Sequence, residues 1–376
     1  MTDKALPPDW ARTLVDPAAF AQEQARLAHA WTFLGLTHDL ARDGDWITAS
    51  LATRSVFVQR FGDQLRGFEN VCAHRFHPLR TAERGNGPLT CGFHHWRYDG
   101  EGRALGIPIC EEAFGTVSRA LDARLNPIEI ATCGTLVFGR FPALHATQSL
   151  EDYLDEAFAV LAALSPGRNT ATLSHPFKAN WRLGLHVTLD DYHFVAVHPK
   201  TFGRAGYLKR SDLTYARFGL HSAYLQTNKE SAWPDYVAGC RDGTLVASHY
   251  TILQILPNLI LGHSHTDGPH YVCVLQQIVP VAHDRSLSRA WIYSAPFDGR
   301  HSWFTRFARP ITDPVRRRIV NRVVRGIYRE DAEVCERLQA VAHQVDTPPR
   351  LGALEERIAW FEESYRALTT PPPAPR

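Results

Sequence analysis

Two short runs, Cys72-Ala73-His74 and Cys91-Gly92-Phe93-His94, stand sixteen residues apart and constrain this chain more than any other feature. Each run supplies one thiolate and one imidazole. A 2Fe–2S cluster with two Cys on one iron and two His on the other needs that arrangement, because each of two loops then gives one ligand to each iron. Exchanging two thiolates for neutral imidazoles makes such a centre less negative and raises its reduction potential. Tetrahedral zinc also accepts two Cys and two His. Finger-type zinc sites, however, pair Cys with Cys and His with His, so the alternation favours iron–sulfur. Four ligand-type residues at ligand spacing also argue against unrelated core positions.

The 376 residues suit two domains. A net charge of +2 provides no strong field for nucleic acid or a membrane surface. Cys110, Cys133, Cys240, Cys273 and Cys335 are scattered and read as small buried apolar residues, which fits a reducing, cytoplasmic compartment. Met1 to Asp16 lacks the apolar stretch of a signal peptide. Tyr250 to Gly262 is apolar but is interrupted at Gln254, Pro257 and Asn258, and it is too short to span a bilayer. The expected partners are therefore small molecules and other proteins.

Along the chain, Ala18 to Trp31 has helical spacing. Short strands follow at 46–51, 55–59 and 65–68, and again at 128–133 and 135–138, with turns at Asp43-Gly44-Asp45 and Gly62-Asp63. Leu150 to Leu164 reads as one helix ended by Ser165-Pro166-Gly167. A strand is expected at 171–177. Further strands are expected within 222–226, 245–259, 271–279 and 290–294. The Pro-rich tail, 369–376, reads as a frayed end.

Asn180 to Pro199 suits a buried helix with a functional face. Asp190 and His193 are three apart and share that face. His193 and His198 are five apart, which rotates them by about 140° on a regular helix. Joint ligation of one metal then needs a π-type turn or a break, and Pro199 favours a break. Two imidazoles make two-thirds of a non-haem iron triad, so a carboxylate must come from elsewhere. Asp313 to Val345 is charged and helical in period, and it offers Glu330, Asp331 and Glu333. By default each of these is a solvated helix charge.

The segment "NVCAHRFHPLRTAERGNGPLTCGFHHWRYDGEG" (Asn70 to Gly102) resembles the cluster-binding segment of Rieske proteins, and His95-Trp96-Arg97-Tyr98-Asp99 resembles the large subunit of Rieske non-haem iron oxygenases. The family's usual Arg-Gly after the first His is here Arg75-Phe76. "NWRLGLHVTLDDYHFVAVHP" resembles the mononuclear-iron helix, and "YREDAEVCERLQ" the late segment that completes the triad. The resemblance implies an α+β chain with an N-terminal Rieske all-β domain and a C-terminal helix-grip catalytic domain, an antiparallel sheet around a long helix. The expected limits are a helical segment at 1–35 packing on the catalytic domain, the Rieske domain at 36–148 and the catalytic domain at 149–376.

The same resemblance makes Cys72, His74, Cys91 and His94 the ligands of a 2Fe–2S cluster, and His193, His198 and Asp331 those of a mononuclear Fe(II). Asp190 becomes the acid that links the two centres, with Asp191 its rival. His186 stands where the family often has Glu, and its expected role is to support the site from behind the ligands. Phe194, Phe202, Tyr207, Ile255 and Leu259 are the expected cavity lining. The implied activity is that of a terminal oxygenase. It takes O2 and NAD(P)H electrons through a separate reductase or ferredoxin to hydroxylate a small aromatic substrate, within a head-to-tail homotrimer. Oxidative O- or N-demethylation, quaternary amines included, would use the same metals. A Rieske electron carrier is the alternative of a different class, but a carrier needs only residues like 40–145.

Overall fold

The structure is a computed structural model that describes residues 6–143, 148–167, 170–199, 206–245, 249–265, 270–296 and 303–370. Two compact units emerge. One is continuous, Leu27–Leu150, and the other combines Met1–Arg26 with Glu151–Arg376.

In the continuous unit the expected strands form at Asp45–Leu51, Arg54–Phe61, Gln64–Glu69, Pro127–Cys133 and Leu136–Arg140. They belong to a seven-stranded sheet. The unit begins earlier than position 36 because Thr32–Leu36 is also a strand, paired antiparallel with Leu136–Arg140. All five of its residues are buried, so its sequence shows no polar alternation to reveal it. The expected 1–35 segment therefore divides. Its helix, Pro17–Leu27, ends before Trp31, and residues up to Arg26 belong to the other unit. A small two-stranded sheet, Arg97–Tyr98 with Ala104–Gly106, carries the second cluster loop. The buried side chains of Phe57, Phe68, Leu79, Leu89, Trp96 and Leu125 pack around Cys72 and Cys91.

The discontinuous unit is built on a second seven-stranded sheet, antiparallel throughout and running from Ala171–Phe177 at one edge to Thr214–Phe218 at the other. The expected strand over 245–259 is instead Thr251–Ile255, a turn holding the cis Leu256–Pro257 peptide, and the start of Leu259–His265. The helix Trp181–Leu189 is buried on nearly every side, and its polar members Arg182 and His186 are buried with a partner, Glu362. Asn180 caps it, its side chain accepting from the Arg182 amide at 3.0 Å. Gly184 lets the helix lie close to the sheet, since a Cβ there would stand 3.0 Å from Phe177 and 3.2 Å from Ile278. A long helix, Trp303–Ala342, packs Val324 against Leu173, Ala290 and Ile292. The last helix, Glu356–Thr369, supplies Glu362.

Two expected helices are broken. Leu150 to Leu164 splits into Leu150–Leu154 and Ala157–Ala163, with Asp155 at φ +52° between them. Asn180 to Pro199 splits after Leu189, and a short helix, Phe194–Val197, follows. The break falls at Asp190 rather than beside Pro199. The Asp190 side chain accepts from the Tyr192 amide at 2.7 Å, and this local bond competes with helix continuation.

Candidate metal centres

The two cluster loops share one backbone design. The Cys72 amide donates to His77 O at 2.9 Å and the Cys91 amide to Trp96 O at 2.9 Å. The Phe76 amide returns to Cys72 O and the His95 amide to Cys91 O. Four residues past each Cys the chain enters the left-handed region, at Phe76 (φ +58°) and His95 (φ +57°). The first of these positions is where the resembled family often carries Gly. A bulky residue there costs about 1 kcal/mol, and Phe76 is 78% exposed. Buried Asn70 fastens the first loop by accepting from the Leu79 and Arg80 amides at 2.9 and 2.8 Å and donating to Arg80 O at 2.7 Å.

These loops bring the predicted ligands together in two like pairs. Cys72 and Cys91 are side by side and buried, and the His74 and His94 rings are 4.6 Å apart. Tyr98, named in the sequence only as part of the resembling motif, accepts from the Ala73 amide at 3.2 Å and lies 3.0 Å from Cys72 Sγ. Its O–H is therefore free to donate to the sulfur. Burial raises the Cys91 pKa, with the nearby Cys72 sulfur adding to it. Burial also lowers the His74 pKa, helped by the charges of His94 and Arg75, so the imidazole is held neutral. His74 Nδ1 is buried with no hydrogen-bond partner, and the ring stacks on Trp96 at 4.6 Å. A neutral, fixed imidazole with a bare buried nitrogen beside two paired sulfurs fits a Rieske-type cluster.

In the discontinuous unit, His193 Nε2, His198 Nε2 and a carboxylate oxygen of Asp331 all lie within 4.8 Å of one another. The two imidazole nitrogens are 3.2 Å apart. Asp331 Oδ1 is 3.0 Å from His198 Nε2 and 3.6 Å from His193 Nε2. Cis donors on one metal at about 2.1 Å stand about 3 Å apart, so these distances fit a single ion. Asp331 Oδ1 is buried without a well-aligned donor of its own. The Asp190 carbonyl accepts from His193 Nδ1 at 2.7 Å, which leaves Nε2 bare toward the triad. Burial would lower the His198 pKa, but Asp331 and Glu330 outweigh it and raise it. Burial would raise that of Asp331, but the two imidazoles lower it. The pocket is thus built to hold a positive charge.

The other predicted residues take different places. Glu330, a rival for the third ligand, bonds His198 Nδ1 at 2.8 Å, behind the imidazole rather than beside the metal position. Its place one residue before Asp331 on the same helix was the available signal. The Asp190 carboxylate lies 3.8 Å from His193 Nδ1, so the carbonyl makes the short bond and the carboxylate does not. Asp191 accepts from Tyr215 Oη at 2.5 Å, and burial raises its pKa to about 6. His186 is not a ligand of the triad: its Nε2 bonds Glu362 at 2.8 Å and its ring stacks on Trp10.

A cavity of about 110 Å³ reaches the triad. Its wall is Val187, Thr188 and Phe194 on one side, Tyr250 and the alternate strand residues Ile252, Ile260, Gly262, Val274 and Gln276 on another, and Val324, Ile327 and Tyr328 of the long helix. Of the expected lining only Phe194 takes part. Ile255 and Leu259 are core, Tyr207 is exposed, and Phe202 lies outside the described residues. Alternation explains the error, because 255 and 259 belong to the opposite face of their strands.

Residues 30–122 match the Rieske 2Fe-2S domain, and residues 167–370 match the catalytic domain described as ring hydroxylating alpha subunit. The chain is 31% identical over 198 residues to the large oxygenase component of the naphthalene 1,2-dioxygenase system of Pseudomonas aeruginosa, a match covering 49% of this chain and 42% of that protein. It is 28% identical over 194 residues to the glycine betaine monooxygenase oxygenase subunit of Chromohalobacter salexigens, again covering 49% and 42%. The chain thus spans about half the length of the curated relatives it matches. In fold it is similar to naphthalene 1,2-dioxygenase from Rhodococcus sp., with a TM-score of 0.75, 20% identity, and 98% of this chain and 95% of the other covered.

Proposed function

Because the chain belongs to the ring-hydroxylating alpha-subunit family, we propose that it is the terminal oxygenase of a multicomponent system. It receives NAD(P)H electrons through a separate reductase or ferredoxin and uses O2 to hydroxylate a small aromatic substrate. The observation that carries this reading is the convergence of His193, His198 and Asp331 at the wall of an apolar cavity. Iron held there would supply the activation of O2, and a cluster held by Cys72, His74, Cys91 and His94 would supply the electrons.

The chain's own residues do the rest. Asp331 lends its charge, and the Asp190 carbonyl and the Glu330 carboxylate fix the two imidazoles through their far nitrogens. Apolar walls exclude water from the reacting centre. Burial pushes the Tyr250 pKa up to about 12 and that of Tyr328 well above the ordinary value, so both keep their hydroxyl protons far into the alkaline range. The relatives include both a naphthalene 1,2-dioxygenase component and a glycine betaine monooxygenase subunit, so oxidative demethylation is the second reading. A cytoplasmic setting belongs to the proposal and is supported by seven cysteines that are all buried and, among the described residues, in no disulfide. Among the described residues no helix is long and apolar enough to cross a membrane.

The test is oxygen uptake by the iron-loaded protein with a surrogate reductase, across aromatic hydrocarbons, aromatic acids and quaternary amines. The expected result is NAD(P)H-dependent uptake that yields a product gaining one or two oxygen atoms, or a demethylated product with formaldehyde. Cluster reoxidation by other proteins, with no product from any substrate, would mean a carrier.

The proposal extends to assembly. In a head-to-tail homotrimer, Asp190 would lie between His193 of its own chain and His94 of a second copy, a contact that closes into a ring. Its side chain retains about a fifth of its exposure, which suits a group that completes its bonding at an interface. Asp190→Asn is expected to keep both metal centres and the trimer while slowing cluster-to-iron electron transfer by about 10–100-fold. Rapid-mix optical measurement of cluster oxidation with substrate and O2 reads this directly. An unchanged rate, or an active monomer, rules the bridge out.

A further inference from the structure

Glycine inside a strand weakens it, and three reasons can keep one there: a left-handed backbone, a tight neighbour, or room for a ligand. Five of the described strand glycines have a tight neighbour. A Cβ at Gly35, Gly67, Gly85, Gly106 or Gly139 would fall 2.5, 2.6, 2.5, 3.1 or 2.7 Å from an adjacent side chain. Gly262 differs. Its φ is not in the left-handed region, and a Cβ there would meet nothing nearer than Tyr250 Oη and the Val274 carbonyl, each at 3.8 Å. In the sheet register Gly262 pairs with Ile252 on one side and Val274 on the other, and Val274 pairs with Ile292. An aliphatic row thus crosses four strands with one side chain missing, and the gap opens into the cavity that His193, His198 and Asp331 also line.

We propose that Gly262 determines substrate size: the notch it leaves in the sheet wall receives the planar, uncharged, apolar body of the substrate, under the Tyr250 hydroxyl. This rests on the oxygenase reading of the same site and goes further, because it assigns a shape and a polarity to the molecule bound. Neither conformation nor packing accounts for the glycine, whereas a ligand does. Valine at this position would continue the Ile252–Val274 row and fill the notch.

The experiment compares the iron-loaded wild type with Gly262→Ala and Gly262→Val, using indole as a wide planar probe and benzene as a narrow one. Binding is measured by equilibrium dialysis and stability by thermal unfolding. Relief of the glycine penalty should raise Tm in both variants by about 1–4 °C. Gly262→Val should weaken indole binding by at least about tenfold and change benzene binding by less than about threefold. Gly262→Ala should fall between. Where indole is turned over, its KM should rise in Gly262→Val by at least about tenfold.

A raised Tm with lost indole binding cannot come from misfolding. Equal loss of both probes, no loss of either, a lowered Tm, or a wild type that takes up neither probe each overturns the proposal. Turnover of some substrate with no effect of Gly262→Val would sink this inference alone. Altered binding without any turnover would sink the oxygenase reading alone.

Discussion

His193→Ala, His198→Ala and Asp331→Ala should each lower iron from about three to about two per chain, leave the cluster spectrum unchanged, and reduce turnover on the order of a thousandfold or more. Each substitution removes one of three donors whose nearest atoms stand 3.0 to 3.6 Å apart. The two donors left behind no longer define an open facial site. Glu330→Ala should be milder, costing about 10–100-fold in iron affinity, because Glu330 touches the far nitrogen of His198 and not the metal position. Metal analysis beside the optical spectrum separates these outcomes. If Asp331→Ala kept both iron and activity, the third ligand would have to be another acid.

A comparable loss, of stability rather than iron, should follow Glu362→Ala. Four donors converge on that carboxylate. Arg182 gives two bonds at 3.0 and 2.6 Å, His186 one at 2.8 Å and the Trp10 indole one at 3.1 Å. Arg182 and Glu362 side chains are 2% and 1% exposed, so removing the acid strands a buried guanidinium, at a cost of about 3–5 kcal/mol. Denaturant titration should show the whole loss in Glu362→Ala and a smaller one in Arg182→Met combined with Glu362→Leu.

Burial pushes the Glu362 pKa up, but the Arg182 charge and the His186 bond override it and hold the group at about 2. An unfolded glutamate titrates near 4.3. The stabilisation is therefore complete above about pH 4.3 and disappears as pH falls through about 2. The gap between wild type and Glu362→Ala should close over that window.

The proposed cluster ligands stood out in the sequence because both loops are local: every donor lies within three residues of its partner in the chain. The triad was half legible. His193 and His198 could be paired by spacing, but Asp331 joins them from the long helix by tertiary packing, and only the resemblance pointed to it. The longer strands of the cluster unit could be read from alternation, except Thr32–Leu36, which is buried on both faces; Arg84–Asn86, Arg97–Tyr98 and Ala104–Gly106 were missed because two or three residues are too few to show a period. A break in this helix was expected, but its position at Asp190 was not legible, because its cause is a single side chain bonding two residues ahead. The cavity wall was illegible for a related reason. Tyr250, Gly262 and Gln276 meet only once three hairpin strands take up their register. No local pattern pairs Arg182 with Glu362 either.

The discontinuity of the larger unit bears on how a ribosome delivers this chain. The cluster unit has all of its residues once Leu150 has emerged. The first segment of the other unit must wait: Trp10 bonds Glu362, and Glu23 bonds both Trp181 and Tyr365. At about 5–20 residues per second, the interval between Leu150 and Glu362 is roughly ten to forty seconds. Throughout that time the nascent chain carries a finished cluster unit between two halves of an unfinished one. Assembly of the iron–sulfur centre can therefore precede assembly of the pocket where O2 would react. Truncation after Thr347 would be expected to leave a coloured, cluster-bearing protein whose remaining segments stay open to proteases.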